Sequence, residues 1–419
     1  MSSPLNSSWK KRLETRREFL KRSAIAGIGA GLLPLLATED AAASIPPGEV
    51  RRYGELGKTG LKISDISFGG ARLQTGDEDV VRHAYDRGIN YFDSADNYGD
   101  GVSETVIGNA LKGKRDKVYL TSKTLAGPSD SKESMMTSLE GSLKRLQTDH
   151  IDVYFNHAVN DVDRIKNPEW HAFTESAKQQ GKLRFVGMSG HAGNLIECLD
   201  WGIDSGHLDV ILCAYNFGQD PSFYQRFTRD FDFVAIQADL PRVITKAKAK
   251  GVGVIAMKTL RGARLNDMRP YEKDGATFSQ AAFRWVLSNH DVDALIVTMT
   301  SATQIDEYLG ASGARATAAA DIPLLRRYEH LNATSQCRQG CGLCENSCPY
   351  GVEIGEVLRT RMYAVDYGDM RFAREEYALL GKGAEACLSC TAKPCANACV
   401  YGLRPDVLLA PVHRALTRI

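Results

Sequence analysis

From residue 64 to residue 300 the chain alternates between two hydrophobic rhythms. Short apolar runs fall at 64–70 (SDISFGG), 90–95 (NYFDSA), 118–123 (VYLTSK) and 151–157 (IDVYFNH), then at 184–190 (RFVGMSG), 209–216 (DVILCAYN), 253–259 (GVIAMKT) and 294–300 (ALIVTMT). Each is brief and rich in Val, Ile, Leu, Phe or Tyr, as strands are. Longer stretches with helical patterns separate them, among them 132–147, 168–180, 238–250 and 277–289. Eight such βα pairs in roughly 250 residues predict an α/β chain built on a (β/α)8 TIM barrel. The rival arrangement, a doubly wound open sheet, lacks its G-x-G-x-x-G after the first strand. Residues 51–63 are expected to form a small hairpin that plugs the bottom of the barrel.

A barrel places its chemistry at the C-terminal ends of its strands. Asp93 lies near the end of the second run, with Tyr98 in the loop that follows; Lys123 ends the third and His157 the fourth. Taken singly, a loop tyrosine packs or meets solvent, an aspartate caps a helix, and a lysine or histidine is a solvated strand end. Four such residue types at one level on consecutive strands point instead to a shared site. Composition narrows the partners. Lys plus Arg number 52 and Asp plus Glu 51, so the chain has no charge excess that would select nucleic acid.

The cysteines divide unevenly. Of ten, only Cys198 and Cys213 precede residue 336, and these two are expected to be small buried hydrophobes. The rest form two groups, Cys337-x3-Cys341-x2-Cys344-x3-Cys348-Pro349 and Cys387-x2-Cys390-x4-Cys395-x3-Cys399. Short fixed spacings let a turn or two of chain present several thiolates to one inorganic core. Disulfides, two four-cysteine zinc sites, and the C-x3-C-x2-C cluster of radical enzymes are the competing readings.

At the other end, Thr15-Arg16-Arg17-Glu18-Phe19-Leu20-Lys21 precedes an uncharged, moderately apolar stretch from Ser23 to Ala37, and Ala41-Ala42-Ala43 follows. That stretch is too short to span a bilayer comfortably. The arrangement resembles a bacterial twin-arginine signal peptide, which implies an exported, periplasmic protein with no membrane span once the signal is removed. A basic amphipathic helix is the alternative, and the missing polar periodicity opposes it.

Three segments carry a further resemblance. Tyr91-Phe92-Asp93-Ser94-Ala95-Asp96-Asn97-Tyr98-Gly99 is similar to the D-[TS]-A-x-x-Y-G signature of the aldo-keto reductases. Leu120-Thr121-Ser122-Lys123 and Asp152-Val153-Tyr154-Phe155-Asn156-His157 resemble that family's lysine and histidine segments. The resemblance, over about residues 51 to 311, implies a catalytic tetrad of Asp93, Tyr98, Lys123 and His157. In it Tyr98 donates a proton to the carbonyl oxygen receiving hydride, Lys123 lowers the tyrosine's pKa, Asp93 holds Lys123, and His157 orients the carbonyl. It also implies a nicotinamide dinucleotide, NAD or NADP, near Ser189 and Tyr215, with Lys258, Thr259, Leu260 and Gly262 in a loop over the pyrophosphate. The family's cations for a 2′-phosphate have no counterpart at the matching Thr298, Met299, Gln304 and Tyr308.

The tail resembles helical dicluster ferredoxin domains. That implies two [4Fe–4S] clusters, one on Cys337, Cys341, Cys344 and Cys399, the other on Cys387, Cys390, Cys395 and Cys348. The expected organisation is a signal peptide at 1–43, a barrel at 44–325 and a small, mostly α-helical iron–sulfur domain at 326–419. The expected function is an exported oxidoreductase acting on a small-molecule carbonyl or alcohol, its clusters trading electrons with a redox partner protein or carrier. The alternative is a non-catalytic electron-transfer or dinucleotide-sensing subunit on the same barrel.

Overall fold

The computed structural model describes residues 48–191, 194–218, 239–260, 268–273, 275, 277–332, 337, 343–365, 370–399 and 402–417. The twin-arginine segment lies outside them, as do Gly262 and Cys341.

A two-stranded antiparallel hairpin, β1 (Tyr53–Glu55) and β2 (Lys62–Ser64), comes first. Eight parallel strands then close a barrel: β3 (Ile66–Gly69), β4 (Tyr91–Asp93), β5 (Tyr119–Thr124), β6 (Ile151–Asn156), β7 (Leu183–Gly190), β8 (Val210–Ala214), β9 (Gly253–Met257) and β10 (Ala294–Thr298), with β10 pairing back to β3. All eight runs read as strands from the sequence are strands of this barrel.

Two apolar layers flank the strands, because side chains alternate between faces. Along β8, Val210 and Leu212 point into the barrel while Ile211 and Cys213 pack outward against helices. The inner layer also takes Tyr91, Val153, Phe155, Ile255 and Ile296. Leu56, Leu61 and Ile63 of the hairpin join that inner cluster, so the hairpin closes the barrel floor. Gly57, at φ +53, sits where a Cβ would come within 2.4 Å of the Gly253 nitrogen, and only glycine allows that approach. Cys198 and Cys213 are fully buried, and burial pushes both thiols up to about 12.

The outer helices start where side chains satisfy free backbone N–H groups. Ser131 caps Lys132–Leu146, Asn167 caps Pro168–Gln179, and Thr277 caps Phe278–Leu287. After the helix Asp321–Asn332, the described residues include the α-helices Ile354–Val365, Met370–Ala378 and Pro405–Leu416. They share their own apolar cluster of Val352, Ile354, Val357, Leu409 and Val412, with Cys344, Cys348, Cys387 and Cys399 packed against it. Barrel and C-terminal helices belong to one compact unit, residues 45–419. Among the described residues no helix is long and apolar enough to cross a membrane.

Candidate active site

Strand register brings the polar residues together. Asp93 on β4 lies beside Thr121 on β5, and Lys123, two residues on, lies beside Phe155 on β6. Lys123 is fully buried, and its ammonium donates to the Asp93 carboxylate at 2.7 Å and to the Ser94 carbonyl. Thr121 Oγ1 donates to the other Asp93 oxygen at 3.3 Å. The same ammonium stands 4.9 Å from the centre of the Tyr98 ring, and that ring meets His157 edge-on with centroids 5.5 Å apart. All four tetrad candidates therefore converge at the C-terminal end of the barrel.

The loops are held firmly. Ser94 and Ser103 hydroxyls pair at 2.8 Å, fastening the Tyr98 loop to the start of the following helix. Glu104 on that helix is buried, accepts from Ser122 beside Lys123, and is neutralised by Arg145 at 2.6 Å. Arg164 braces the His157 loop by donating to the carbonyls of Ala126, Ala158 and His157 and to Asn156 Oδ1, at 2.8–2.9 Å. Neither brace was visible in the motif spacing.

Electrostatics departs from one expectation. Burial holds Tyr98 well above the usual phenol range, and the nearby charges of Asp93, Glu376, Tyr363 and Asp96 push in the same direction. Lys123 does not reverse this, because burial lowers its own pKa and its charge is committed to Asp93. Desolvation also holds His157 well below the ordinary histidine range, helped by Lys123, Arg164 and Lys258. The neutral imidazole is thereby favoured for His157, and among the described residues its buried Nδ1 has no hydrogen-bond partner. A neutral ring can donate one N–H to a carbonyl oxygen.

The dinucleotide candidates divide. Ser189 is buried on β7, where its hydroxyl accepts from the Ala158 N–H at 2.9 Å. Tyr215 is placed differently from the expectation. It follows β8 in the outward half of the alternation, so its ring lies against Trp285, centroids 5.2 Å apart, and its hydroxyl accepts from Asn289 at 3.1 Å. Tyr215 belongs to the layer between barrel and helices. Lys258 and Thr259 follow β9, with Leu260 beside them. Lys258 has a left-handed backbone, φ +56, and no carboxylate partner among the described residues. The buried Thr259 Oγ1 has no hydrogen-bond partner among the described residues. A half-buried cation and an unpaired hydroxyl fit an anionic ligand such as a pyrophosphate. After β10, Met299 is buried and Gln304 donates to Tyr308 at 2.7 Å, so those positions offer a 2′-phosphate no cation.

Two residues of the C-terminal helices also reach this region, neither foreseen from the sequence. The Tyr363 hydroxyl accepts from Lys258 Nζ at 2.7 Å and from Arg359 at 3.2 Å, and Arg359 is paired with Glu376 at 2.7 Å.

Aldo/keto reductases supply the match for this barrel: residues 65–322 fit that family. The chain belongs to the aldo/keto reductase family. It is 27% identical over 292 residues to the L-galactose dehydrogenase of Arabidopsis thaliana, covering 61% of this chain and 86% of that one. It is 35% identical over 237 residues to the uncharacterized oxidoreductase YrpG of Bacillus subtilis, 51% of this chain and 68% of that one. A probable voltage-gated potassium channel subunit beta of Oryza sativa is 26% identical over 305 residues, 62% of this chain and 90% of that one. Among solved structures, an aldo-keto reductase of Bacillus halodurans in its holo form superposes with a TM-score of 0.53 at 23% identity, covering 66% of this chain and 95% of that one. This family member is an oxidoreductase in kind.

The cysteine groups are described in part. Among the described residues no three Cys, His, Asp or Glu stand close enough to hold a single metal ion. Cys348, Cys390 and Cys395 are nonetheless electrostatic neighbours of Cys387; burial first, then those three thiols, pushes its pKa to about 11. Cys348 and Cys390 act on Cys395 in the same way.

Proposed function

We propose that this aldo/keto reductase transfers hydride between a nicotinamide dinucleotide and a small carbonyl or alcohol. The observation that carries the reading is the Asp93–Lys123 pair set beneath Tyr98, with His157 edge-on to the Tyr98 ring. A bound dinucleotide would supply the hydride. Tyr98 holds the proton that the reduced oxygen takes up. His157 directs its one N–H at that oxygen, Asp93 and Lys123 fix the floor on which the phenol stands, and Lys258, Thr259 and Leu260 cover the pyrophosphate. The kinship to an L-galactose dehydrogenase makes sugars the first substrates to screen. The test is turnover of such a panel with NAD and NADP, with Tyr98→Phe as the control; a panel-wide absence of turnover and of dinucleotide binding removes the reading.

The tail is proposed to hold two [4Fe–4S] clusters, which when bound would pass single electrons to a redox partner. Support comes from the doubled ferredoxin spacing and from the mutual influence of Cys348, Cys387, Cys390 and Cys395, the very set assigned to one cluster. The signal-like N-terminus supports export by the twin-arginine route, which carries folded, loaded proteins, and the domain division at 1–43, 44–325 and 326–419 belongs to the same proposal. The resemblance to a potassium channel subunit beta favours one second reading, a dinucleotide-sensing subunit without turnover.

A further inference from the structure

The helices beyond the barrel do more than follow it in sequence. Arg359 and Tyr363 stand one turn apart on the helix Ile354–Val365 and so share a face. Both are buried, and that face meets the strand end that bears Lys258. A second contact binds the same unit to the catalytic loop: Arg371 pairs with Asp100, two residues after Tyr98, at 2.7 Å.

Lys258 itself is unusual in three ways. Its backbone is left-handed, a conformation that a residue with a Cβ adopts only when its surroundings impose it. Asn216 imposes it in part, donating to the Lys258 carbonyl at 3.2 Å. Its ammonium has no carboxylate partner among the described residues, and the hydroxyl of the next residue, Thr259, is buried without a partner. The group that does engage the ammonium is the Tyr363 phenol, 105 residues away, whose ring also lies 5.4 Å beneath it. That phenol is fixed in turn by Arg359, which Glu376 and Glu356 hold.

We propose that Tyr363 is a positioning residue of the dinucleotide site, through which the C-terminal helices fix the Lys258 ammonium over the pyrophosphate. The inference rests on the assignment of Lys258 to that site. A free lysine side chain explores many rotamers and loses that freedom on binding an anion. A phenol oxygen already accepting from Nζ removes most of that loss beforehand while leaving the ammonium two further N–H groups for the ligand. Burial raises the Tyr363 pKa, but the Lys258 and Arg359 charges outweigh it and hold the phenol below its ordinary range; as long as it keeps its proton, it accepts from the ammonium without cancelling the charge that attracts phosphate. The nucleotide site is then shared between the barrel and the C-terminal helices.

The test is calorimetric titration of NADH and NADPH into the full chain, with no turnover required. Lys258→Met should weaken the tighter of the two about tenfold or more, the loss of a charge-assisted contact. Tyr363→Phe, which keeps the ring and removes only the acceptor, should weaken it about three- to tenfold. The double variant should match Lys258→Met alone, because the phenol acts only through the ammonium. Tyr377→Phe is the structural control; it removes the hydroxyl that accepts from the Ala384 N–H and pairs with His413, loosening the same helices away from Arg359 and Lys258, and should change affinity little. Unchanged or tighter binding in Tyr363→Phe, or an equal loss in Tyr377→Phe, overturns the inference while Lys258 keeps its role. An unaffected Lys258→Met overturns that role and the inference together.

Discussion

Tyr98 stands in a setting that resists ionisation. Burial and the Asp93 charge keep its proton on, while the Lys123 ammonium beneath it is balanced by Asp93. In the proposed reaction the phenol would give up its proton only when a negative oxygen develops beside it. Tyr98→Phe should lower turnover by about 10²–10⁴-fold, the usual contribution of a general acid, with the unfolding temperature unchanged. Lys123→Met differs in kind. It leaves a buried carboxylate unpaired, so it should cost about 3–5 kcal/mol of stability as well as activity, read by denaturant unfolding. Histidines set the pH response. Burial keeps both His157 and His191 well below the normal range, so the folded state binds fewer protons than the unfolded chain, whose histidines titrate near ~6.5. Stability should then be fullest above that pH and decline as pH falls through it. The drop in unfolding temperature between about pH 7 and pH 5 should be smaller in His157→Gln/His191→Gln than in the parent.

At the scale of elements, the strands were legible because each is a short apolar run between polar helices, and β-rich runs of that length form little else. The tetrad was legible because strand ends carry sequence position directly into space. Tyr215 shows where this stops: its place at a strand end was readable, but which face it takes depends on the register of β8, and that register sends it outward against Trp285. Arg164 was not legible either, since its four acceptors come from two separate segments, one of them at Ala126, 38 residues away. Arg164→Ala leaves those acceptors without their donor and frees the His157 loop. The expected cost is about 1–3 kcal/mol of stability, with a rise in KM larger than the fall in kcat, measured by unfolding and steady-state kinetics on the substrate found by screening.

At the scale of the whole molecule, the barrel does not end where its family ends. Residues 65–322 match the aldo/keto reductases, yet Tyr363 and Glu376, beyond that span, bear on Lys258 and Tyr98. Contacts over such separations leave no periodic trace in a sequence, and the cysteine spacing drew attention to the thiols instead of to the helices between them. A chain ending before residue 326 should accordingly bind dinucleotide more weakly than the full chain. The proposed coupling of hydride chemistry in the barrel to one-electron chemistry in the tail is tested most directly by the visible spectrum of the anaerobically purified full chain, before and after NADH or NADPH. Coupling predicts a brown protein with about eight irons and eight sulfides per chain; the two electrons of the reduced dinucleotide would go one to each cluster and its proton to solvent, so that the absorbance bleaches on addition. A colourless protein, or a brown one whose spectrum neither dinucleotide changes, would contradict it.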